Sequence, residues 1–347
     1  MILHCFLNRS TFIMKDQSIL EDTSKTDTYH VKITRKTYLP IALVRQFLFL
    51  LFSGWRYRLF VIQFAGYHSL LPCLFAKLTG RKSLIIAGGT DCVSFPGIRY
   101  GNFYRPLLKD FTRWSYLLCD AIAPKHLTLW EYDYHYDKHE PSKQGILHFT
   151  GMTRKQVVPI ENGYDTQKWS LTQPDRIKNS FITVTGALEY PFQSQLKGID
   201  MILQLAAKHP ECTFTIAGVP RTDFFGSISE NVCLLPPVKN ESLAELFNTQ
   251  EYYMQLSMAE GFPNALCEAM LCGCTPIVSS VFSMPEIVGD NGYILTHRDA
   301  LELERLMENV LRNGPKNPSA VRSQISERYS IQVRAEKLRN LVLSLGC

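Results

Sequence analysis

The sequence has few of the features that tie a chain to a disulfide framework or a metal cluster. Ten cysteines are spread over 347 residues without a C-x-x-C pair or a Cys/His finger spacing. This spacing excludes a disulfide scaffold and indicates a reducing cytosol. The tightest group, Cys267, Cys272 and Cys274, lies in an apolar stretch with no histidine nearby. We therefore predict that these three cysteines pack in the core and bind no metal.

Long apolar runs are missing as well. The most apolar stretch covers residues 39–64, but Arg45, Arg56 and Arg58 interrupt it. Its longest uninterrupted apolar run falls well short of the ~20 residues that a membrane-spanning helix needs. We therefore expect no membrane span here. The opening segment, residues 1–7, is short and has no small-residue cleavage site, so we expect no signal peptide.

Two interpretations of this stretch remain open. Arg35 and Lys36, with the three arginines, surround the aromatic and aliphatic residues 47–52 in the pattern of a basic helix that lies on an anionic membrane. The same pattern fits a core helix with charged ends, followed by a buried strand. Charge also divides the chain: residues 1–150 carry 19 basic and 11 acidic side chains, and the remainder 18 and 21. The two halves therefore meet different partners.

Short apolar runs alternate with helical patterns along the whole chain, which is typical of βαβ units and parallel sheets. The predicted strands are residues 2–7, 29–33, 59–64, 83–87, 120–123, 181–185, 213–217, 232–235, 252–256, 275–279 and 292–295. We predict two α/β domains, 1–165 and 166–347, each a Rossmann-like doubly wound parallel sheet. The last helix is expected to pack back on the first domain.

The most informative stretch follows the predicted strand 252–256. It turns at Gly261 and enters a helix for which Pro263 is a good first-turn residue. Free backbone N–H groups then lie at the carboxyl end of a parallel strand, where open α/β sheets bind ligands and where a phosphate is favoured. Glu260 stands at the mouth of this helix and Glu268 two turns inside it. Their carboxylates can accept hydrogen bonds from sugar hydroxyls.

This stretch resembles the Glu-x7-Glu signature of the retaining glycosyltransferases of family 4. Supporting matches are residues 159–165, Gly186 with residues 197–200, residues 214–218, residues 285–288 with 291–292, and residues 329–338. The resemblance implies the GT-B arrangement, in which two Rossmann-like domains face each other across a cleft. It also implies a metal-independent enzyme, and the absence of Asp-x-Asp fits an enzyme without metal or other cofactor, in which protein cations stabilise the phosphate charge.

The resemblance assigns roles at the matching positions of the second half. Lys197 would neutralise the donor diphosphate, and Glu268 would hold the ribose hydroxyls. Glu260, with the amides of Gly261 and Phe262, would hold the transferred sugar. The full donor-binding set is Gly186, Lys197, Gly261, Phe262, Pro263, Asn264 and Glu268, and Glu260 and Lys197 are the catalytic candidates. Glu286 is either a loop residue of the site or a solvated carboxylate.

The chain departs from the family pattern at two positions. Ala187 stands where the family commonly has an arginine, which leaves Arg221 as a candidate second cation. Gly88 stands where the family frequently has an active-site histidine. The acceptor-side candidates are Thr11, His68, Gly88, Gly89 and Asp91. A structural role for His68 and a helix cap at Thr11 are the competing interpretations.

The resemblance implies a retaining hexosyltransferase that uses a nucleotide diphosphate sugar. A lipid-linked glycan is the expected acceptor in cell-surface polysaccharide assembly, at the inner face of a cytoplasmic membrane. A sugar-nucleotide epimerase or phosphorylase on the same scaffold, and a non-catalytic nucleotide-sugar-binding protein, are the alternatives. Nucleic acid is not expected as a partner, because the basic residues are not interleaved with an aromatic binding pattern.

Overall fold

The computed structural model describes residues 1–31, 36–153, 155–172, 175–186, 188, 191–220 and 228–346. Ala187, Arg221, Arg35 and the end of the predicted strand 29–33 lie outside these residues. The described chain divides into two compact units. Unit 1 comprises residues 1–133, 141–162 and 332–347, and unit 2 comprises residues 134–140 and 163–331.

Unit 1 is built on a six-stranded parallel sheet in the order β2-β1-β3-β4-β5-β8. Its strands are β1 (Ile2–Phe6), β2 (Thr26–His30), β3 (Leu59–Gln63), β4 (Lys82–Ala87), β5 (Ala121–Pro124) and β8 (Gln156–Val157), and a separate hairpin pairs β6 (Tyr132–Asp133) with β7 (Lys143–Gln144). The helices are α1 (Thr11–Thr23), α2 (Leu39–Ser53), α3 (Leu70–Leu78), α4 (Leu108–Leu118), α5 (Ile146–Thr150) and the last helix, α13 (Ile331–Ser344). The central strands are apolar on both faces because helices cover both sides of the sheet.

Unit 2 repeats this plan with the strand order β11-β10-β9-β12-β13-β14, again all parallel. Its strands are β9 (Ile177–Val184), β10 (Thr213–Ala217), β11 (Val232–Leu235), β12 (Gln250–Gln255), β13 (Thr275–Ser279) and β14 (Tyr293–Leu295). Its helices are α6 (Pro191–Lys197), α7 (Ile199–Lys208), α8 (Asn240–Asn248), α9 (Asn264–Leu271), α10 (Met284–Val288), α11 (Ala300–Asn313) and α12 (Pro318–Ser326). The predicted fold class, two doubly wound parallel-sheet domains, is confirmed.

Two segments belong to a different unit from their neighbours in the chain. Helix α13 places Leu338, Leu341 and Val342 in the apolar core of unit 1. A buried ion pair adds to this packing, because Arg334 donates to both carboxylate oxygens of Asp16 at 2.8 and 2.7 Å. Residues 134–140 pack with unit 2, where the carbonyl of Tyr136 accepts a hydrogen bond from the backbone N–H of Arg298 at 2.7 Å.

Helix α2 differs from the other helices of unit 1 in what it exposes. Only Gln46 and Leu50 of its fifteen residues are buried. Within the described residues, one helical segment, Leu39–Arg56, is long and apolar enough by composition to cross a membrane, and 17% of it is buried. One face is attached to unit 1, since Gln46 donates to the carbonyl of His68 at 2.8 Å and Phe49 packs on Tyr29. The opposite face is apolar and exposed.

Candidate functional site

The loop between β12 and α9 forms the corner on which the donor-side candidates lie. The residues from Tyr252 to Ala259 are buried, and Glu260, the next residue in the loop, is half-buried. Helix α9 begins at Asn264, so Pro263 lies at the N-cap position in extended conformation and not in the first turn, where it was expected. Two serines of the neighbouring β13 corner fix the loop: Ser279 donates to the carbonyl of Ser257 at 2.6 Å and Ser283 to that of Gly261 at 2.9 Å.

Lys197 reaches this loop because a glycine follows it. Gly198 has a φ of +70°, and a Cβ atom there would lie 2.1 Å from the carbonyl oxygen of Leu256. The backbone therefore touches the loop at a distance that only glycine allows. The carbonyl of Leu196 accepts the N–H of Met258 at 2.8 Å, which fixes the register. As a result, Lys197 Nζ lies 2.5 Å from Glu260 Oε1.

Two polar residues that the sequence analysis did not single out complete the surroundings of Glu260. Gln255 Nε2 donates to Glu260 Oε1 at 3.0 Å, and Ser257 Oγ donates to the same oxygen at 3.1 Å. Both are buried, at the end of a strand whose other side chains are mostly apolar or aromatic. A glutamine and a serine at the end of such a strand could have indicated a functional site from the sequence, because buried polar side chains need hydrogen-bond partners.

The remaining residues of the signature lie on α9 and around it. Glu268 is half-buried in the second turn. Burial, Glu260 and Glu268 together raise the pKa of Tyr253, so both carboxylates lie near this buried phenol. Asn264 accepts a hydrogen bond from Tyr164 at 3.0 Å, and the ring of Phe262 packs edge-on against Tyr329. The donor-side candidates from 197 to 268 are thus brought to one corner of unit 2.

Gly186 follows β9 at the same carboxyl edge of the sheet. It is exposed, and a side chain there would meet open space. The segment after Gly186 is hydrogen-bonded to the loop that follows β10, because the backbone N–H of Leu188 donates to the carbonyl of Gly218 at 3.0 Å. A Cβ atom on Gly218, whose φ is +103°, would lie 2.1 Å from the carbonyl oxygen of Thr185. The two loops therefore lie backbone to backbone.

The acceptor-side candidates lie in unit 1, where Asp91 organises the loops after β3 and β4. Its buried carboxylate accepts hydrogen bonds from the backbone N–H groups of Ala65, Gly88 and Gly89 at 2.8, 3.0 and 3.0 Å. Tyr116 OH donates to it at 2.7 Å. With these bonds the carboxylate is largely saturated, so Asp91 shapes the site through the backbone it holds.

A cavity of about 210 Å³ lies at this edge and brings three of the five acceptor-side candidates together. Its lining residues are Leu7, Phe64, Ala65, His68, Gly88, Thr90, Asp91 and Asn102. Thr11 is exposed at the first position of α1 and is not among them. Burial lowers the pKa of His68 to about 4, so the ring is neutral at pH 7. Its Nε2 lies 2.9 Å from the carbonyl of Gln63 and must carry the proton.

The structure gives a physical reason for glycine at position 88. A Cβ atom there would lie 2.0 Å from Cε1 of Phe64. Phe64 itself has a φ of +65°, an uncommon conformation for a bulky residue. Its ring occupies the space into which a side chain at position 88 would project. The buried ammonium of Lys125 lies 5.4 Å from the centroid of this ring.

The remaining candidates from the sequence are the three cysteines and Glu286. Cys267, Cys272 and Cys274 are fully buried, as predicted, and burial raises the pKa of Cys272 to about 12. Glu286 forms an exposed ion pair with Arg328 at 2.9 Å. Among the described residues, one turn, His209, Glu211 and Cys212, brings three potential metal-ligand atoms within 4.8 Å of one another.

Solved structures share this architecture over nearly the full length of the chain. Sucrose-phosphate synthase (tll1590) from Thermosynechococcus elongatus aligns with a TM-score of 0.70 at 12% identity, covering 99% of this chain and 98% of that one. Anabaena Alr3699/HepE, solved in complex with UDP, aligns with a TM-score of 0.69 at 14% identity, covering 99% of both chains. The protein therefore has the GT-B fold of glycosyltransferases.

Sequence comparison finds one family model and several curated relatives that match part of the chain. Residues 192–328 match the family model of the glycosyl transferases group 1. A phosphatidylinositol N-acetylglucosaminyltransferase subunit of Arabidopsis thaliana is 23% identical over 208 residues, 56% of this chain and 46% of that protein. D-inositol 3-phosphate glycosyltransferase of Mycobacterium sp. (strain KMS) is 28% identical over 135 residues, 35% of this chain and 30% of that protein. The matches thus span less than half the length of these curated relatives.

Proposed function

We propose that this protein is a retaining glycosyltransferase of family 4 that transfers a hexose-type sugar from a nucleotide diphosphate sugar to an acceptor hydroxyl. The observation that carries the proposal is the pairing of Lys197 with Glu260 at the mouth of α9. A cation and a carboxylate stand there beside the first amides of a helix, at the carboxyl edge of a parallel sheet. This combination suits a ligand with a diphosphate at one end and hydroxyls at the other.

Each residue has a role in this reaction. Lys197 binds the diphosphate and stabilises the charge that develops on it as the leaving group departs. Glu268 holds the ribose hydroxyls, and Glu260 with the amides of Gly261 and Phe262 holds the sugar. The bond from the anomeric carbon to the diphosphate oxygen breaks, and the acceptor oxygen bonds to the same face of that carbon. The acceptor proton passes to the departing diphosphate, so no nucleophilic side chain is required.

Nucleotide binding tests this assignment directly. A thermal-shift panel of UDP-, GDP- and ADP-sugars should identify a stabilising donor, because a ligand at 100 times its Kd adds about 2.7 kcal/mol to stability. Calorimetry should then show a loss of affinity of about ten- to a hundredfold in Lys197→Ala and in Glu268→Ala, since each removes charge-assisted hydrogen bonds. The exposed residues Lys239 and Glu245 provide matched alanine controls. Unchanged binding in both site variants would refute the assignment.

Turnover separates this function from its alternatives. With donor and a lipid-linked glycan acceptor, the transferase forms a product that retains the anomeric configuration of the donor. An epimerase converts the donor without any acceptor. A non-catalytic binding protein binds the donor and forms no product with any acceptor.

We propose further that the acceptor is lipid-linked and that unit 1 docks on an anionic membrane with α2 lying in the interface, at the cytoplasmic face. The exposed face of α2 carries Phe47, Leu51 and Phe52, which are 53%, 45% and 77% exposed, and Trp55 follows at 57%. Each such side chain contributes on the order of 1 kcal/mol when it enters an apolar phase.

The charge around α2 favours an anionic surface. Residues 28–90 contain nine lysines and arginines and no aspartate or glutamate. Each basic residue near an anionic membrane contributes about 1 kcal/mol. An anionic bilayer therefore fits this surface better than a neutral one, and the enzyme would act there in cell-surface polysaccharide assembly.

Vesicle co-sedimentation tests the membrane proposal. Binding should increase with phosphatidylglycerol content and should be lost when Arg45, Arg56 and Arg58 are replaced by glutamate. Phe47→Ser with Phe52→Ser should weaken binding at every lipid composition, because these side chains supply the apolar contribution. Binding that is indifferent to anionic lipid and to the charge reversal would reject the proposal.

A further inference from the structure

Three hydrogen-bond donors converge on a single oxygen of Glu260. Lys197 Nζ, Gln255 Nε2 and Ser257 Oγ lie 2.5, 3.0 and 3.1 Å from Oε1. Within the described residues, no hydrogen bond reaches the second oxygen of this carboxylate. One carboxylate oxygen is thus committed to the protein, and the other remains available to hydroxyl groups of a ligand.

The three donors differ in how firmly they are held. The side chain of Lys197 is 31% exposed and extends on a flexible four-carbon stem from the last residue of α6. Gln255 is 8% exposed and Ser257 is fully buried. The backbone carbonyl of Ser257 is itself bound by Ser279. The lysine can therefore leave Glu260, whereas the glutamine and the serine cannot.

The orientation of the Gln255 amide is also determined. Tyr253 OH lies 3.1 Å from Oε1 of Gln255. Burial and the two nearby glutamates raise the pKa of Tyr253, so its hydroxyl keeps the proton and donates it. An amide oxygen must then face Tyr253, which turns the amide nitrogen toward Glu260. Gln255 thus presents its amide donor to the carboxylate.

We propose that Lys197 exchanges partners when the donor binds: it leaves Glu260 for the diphosphate, while Gln255 and Ser257 hold Glu260 in place for the hydroxyls of the sugar. This inference rests on the proposed function and adds Gln255 and Ser257 to it as positioning residues. The ion pair with Glu260 then competes with the diphosphate for Lys197. This competition weakens the binding of a nucleotide diphosphate that carries no sugar. When the sugar is present, its hydroxyl groups form hydrogen bonds with Glu260 in place of the lysine.

The competition predicts an increase in affinity on removal of a site residue. Glu260→Gln should bind UDP about two- to fivefold more tightly than the wild type, because a partly exposed ion pair of this strength no longer has to break. The additional affinity of UDP-glucose over UDP should fall in the same variant. Calorimetry with these two ligands, or with the nucleotide pair that the panel selects, measures both effects.

A double-mutant cycle separates partner exchange from simple charge repulsion. In a Lys197→Met background, Glu260→Gln should change UDP affinity by less than about twofold, since no ion pair is left to compete. Repulsion between Glu260 and the diphosphate would instead persist without the lysine. The same gain in affinity in both backgrounds therefore overturns the exchange.

Gln255→Leu tests the positioning role. It removes the amide donor at similar volume, so the affinity for UDP should change less than about twofold while the additional affinity of UDP-glucose is lost. Gln250→Leu is the matched control, because Gln250 is a buried glutamine of the same strand whose side chain bonds Thr249 instead. It should leave both affinities unchanged.

Two further variants keep the test decisive. Gln255→His, which retains an N–H donor, should recover part of the lost sugar affinity. If Gln255→Leu fails to fold, Ser257→Ala replaces it and should reduce the additional affinity of UDP-glucose over UDP. Equal losses for UDP and UDP-glucose in Gln255→Leu would refute the positioning role. A wild type that binds no nucleotide refutes the proposed function and this inference together, whereas normal binding with an additive cycle refutes only the exchange.

Discussion

Lys125 is a buried ammonium group in unit 1, and its removal should stabilise the protein. The residue follows β5 and is 5% exposed, with Nζ 3.9 Å from the ring centroid of Phe12. Burial, and next Arg334, lower the pKa of Lys125 from 10.5 to about 8, although Asp16 and Asp91 oppose the shift. The folded state therefore holds this charge at a cost that the unfolded chain does not have.

The shift gives the size and the pH range of the effect. The difference between a pKa of 10.5 and one of about 8 corresponds to about 3 kcal/mol, at about 1.36 kcal/mol for each pH unit. Below pH 8 both states are protonated and the full cost is present. Between pH 8 and 10.5 the folded state releases the proton first, so stability rises with pH. Lys125→Met should therefore add about 3 kcal/mol at pH 7, and this advantage should fall toward zero at pH 10.5.

Urea unfolding followed by tryptophan fluorescence measures the difference, because Trp55, Trp114 and Trp130 all belong to unit 1. Wild type and Lys125→Met are compared at intervals from pH 7 to 10.5, so that the titration of other groups cancels. Lys77→Met, at an exposed position, is the matched control and should show no such trend. A difference between wild type and Lys125→Met that is zero at pH 7, or that does not change with pH, would refute the reasoning.

Two further predictions concern unit 1. Asp16→Asn should destabilise it by about 3 to 5 kcal/mol in urea unfolding, since Arg334 is left as a buried charge without its counter-ion. Arg334 lowers the pKa of Asp16 against the effect of burial, so this stabilisation is present above the ordinary carboxyl pKa and disappears as the pH falls through the folded value. Gly88→Ala should lower the thermal midpoint because its Cβ meets Phe64, and Phe64→Ala should relieve most of that loss; a full loss in the double variant would contradict this.

The sequence predicted most strands to within one or two residues, and it missed segments that carry no clear apolar pattern. Strands β10, β11 and β13 have the predicted bounds, because each is a short run made mainly of apolar or β-branched residues. The strand predicted at residues 29–33 is shifted, since β2 is an edge strand with the polar sequence Thr-Asp-Thr-Tyr-His. Strand β8 was missed because two residues carry no periodicity. Edge position alone does not explain these misses, since β11 is also an edge strand and has the predicted bounds. A strand is found from sequence where it carries a clear apolar run.

The site was predictable to the extent that it is local in sequence. Glu260, Gly261 and Glu268 occur within one turn and helix, so their spacing was visible. Gln255 was not singled out, because a glutamine in a strand that also contains Gln250 is informative only once its partner is known. The reason for glycine at position 88 was equally hidden, since Phe64 lies on the preceding strand corner.

The sequence by itself determined the alternation of strands and helices, the parallel sheets and the place of the helix that carries the signature, because each depends on residues close together in the chain. Only the tertiary structure decided which charged groups meet. Lys197 and Glu260 are 63 positions apart, and Asp16 and Arg334 are 318 apart. Such pairs form where two segments that are far apart in the chain pack together. The local sequence pattern of each segment does not show which residue of the other segment it will contact.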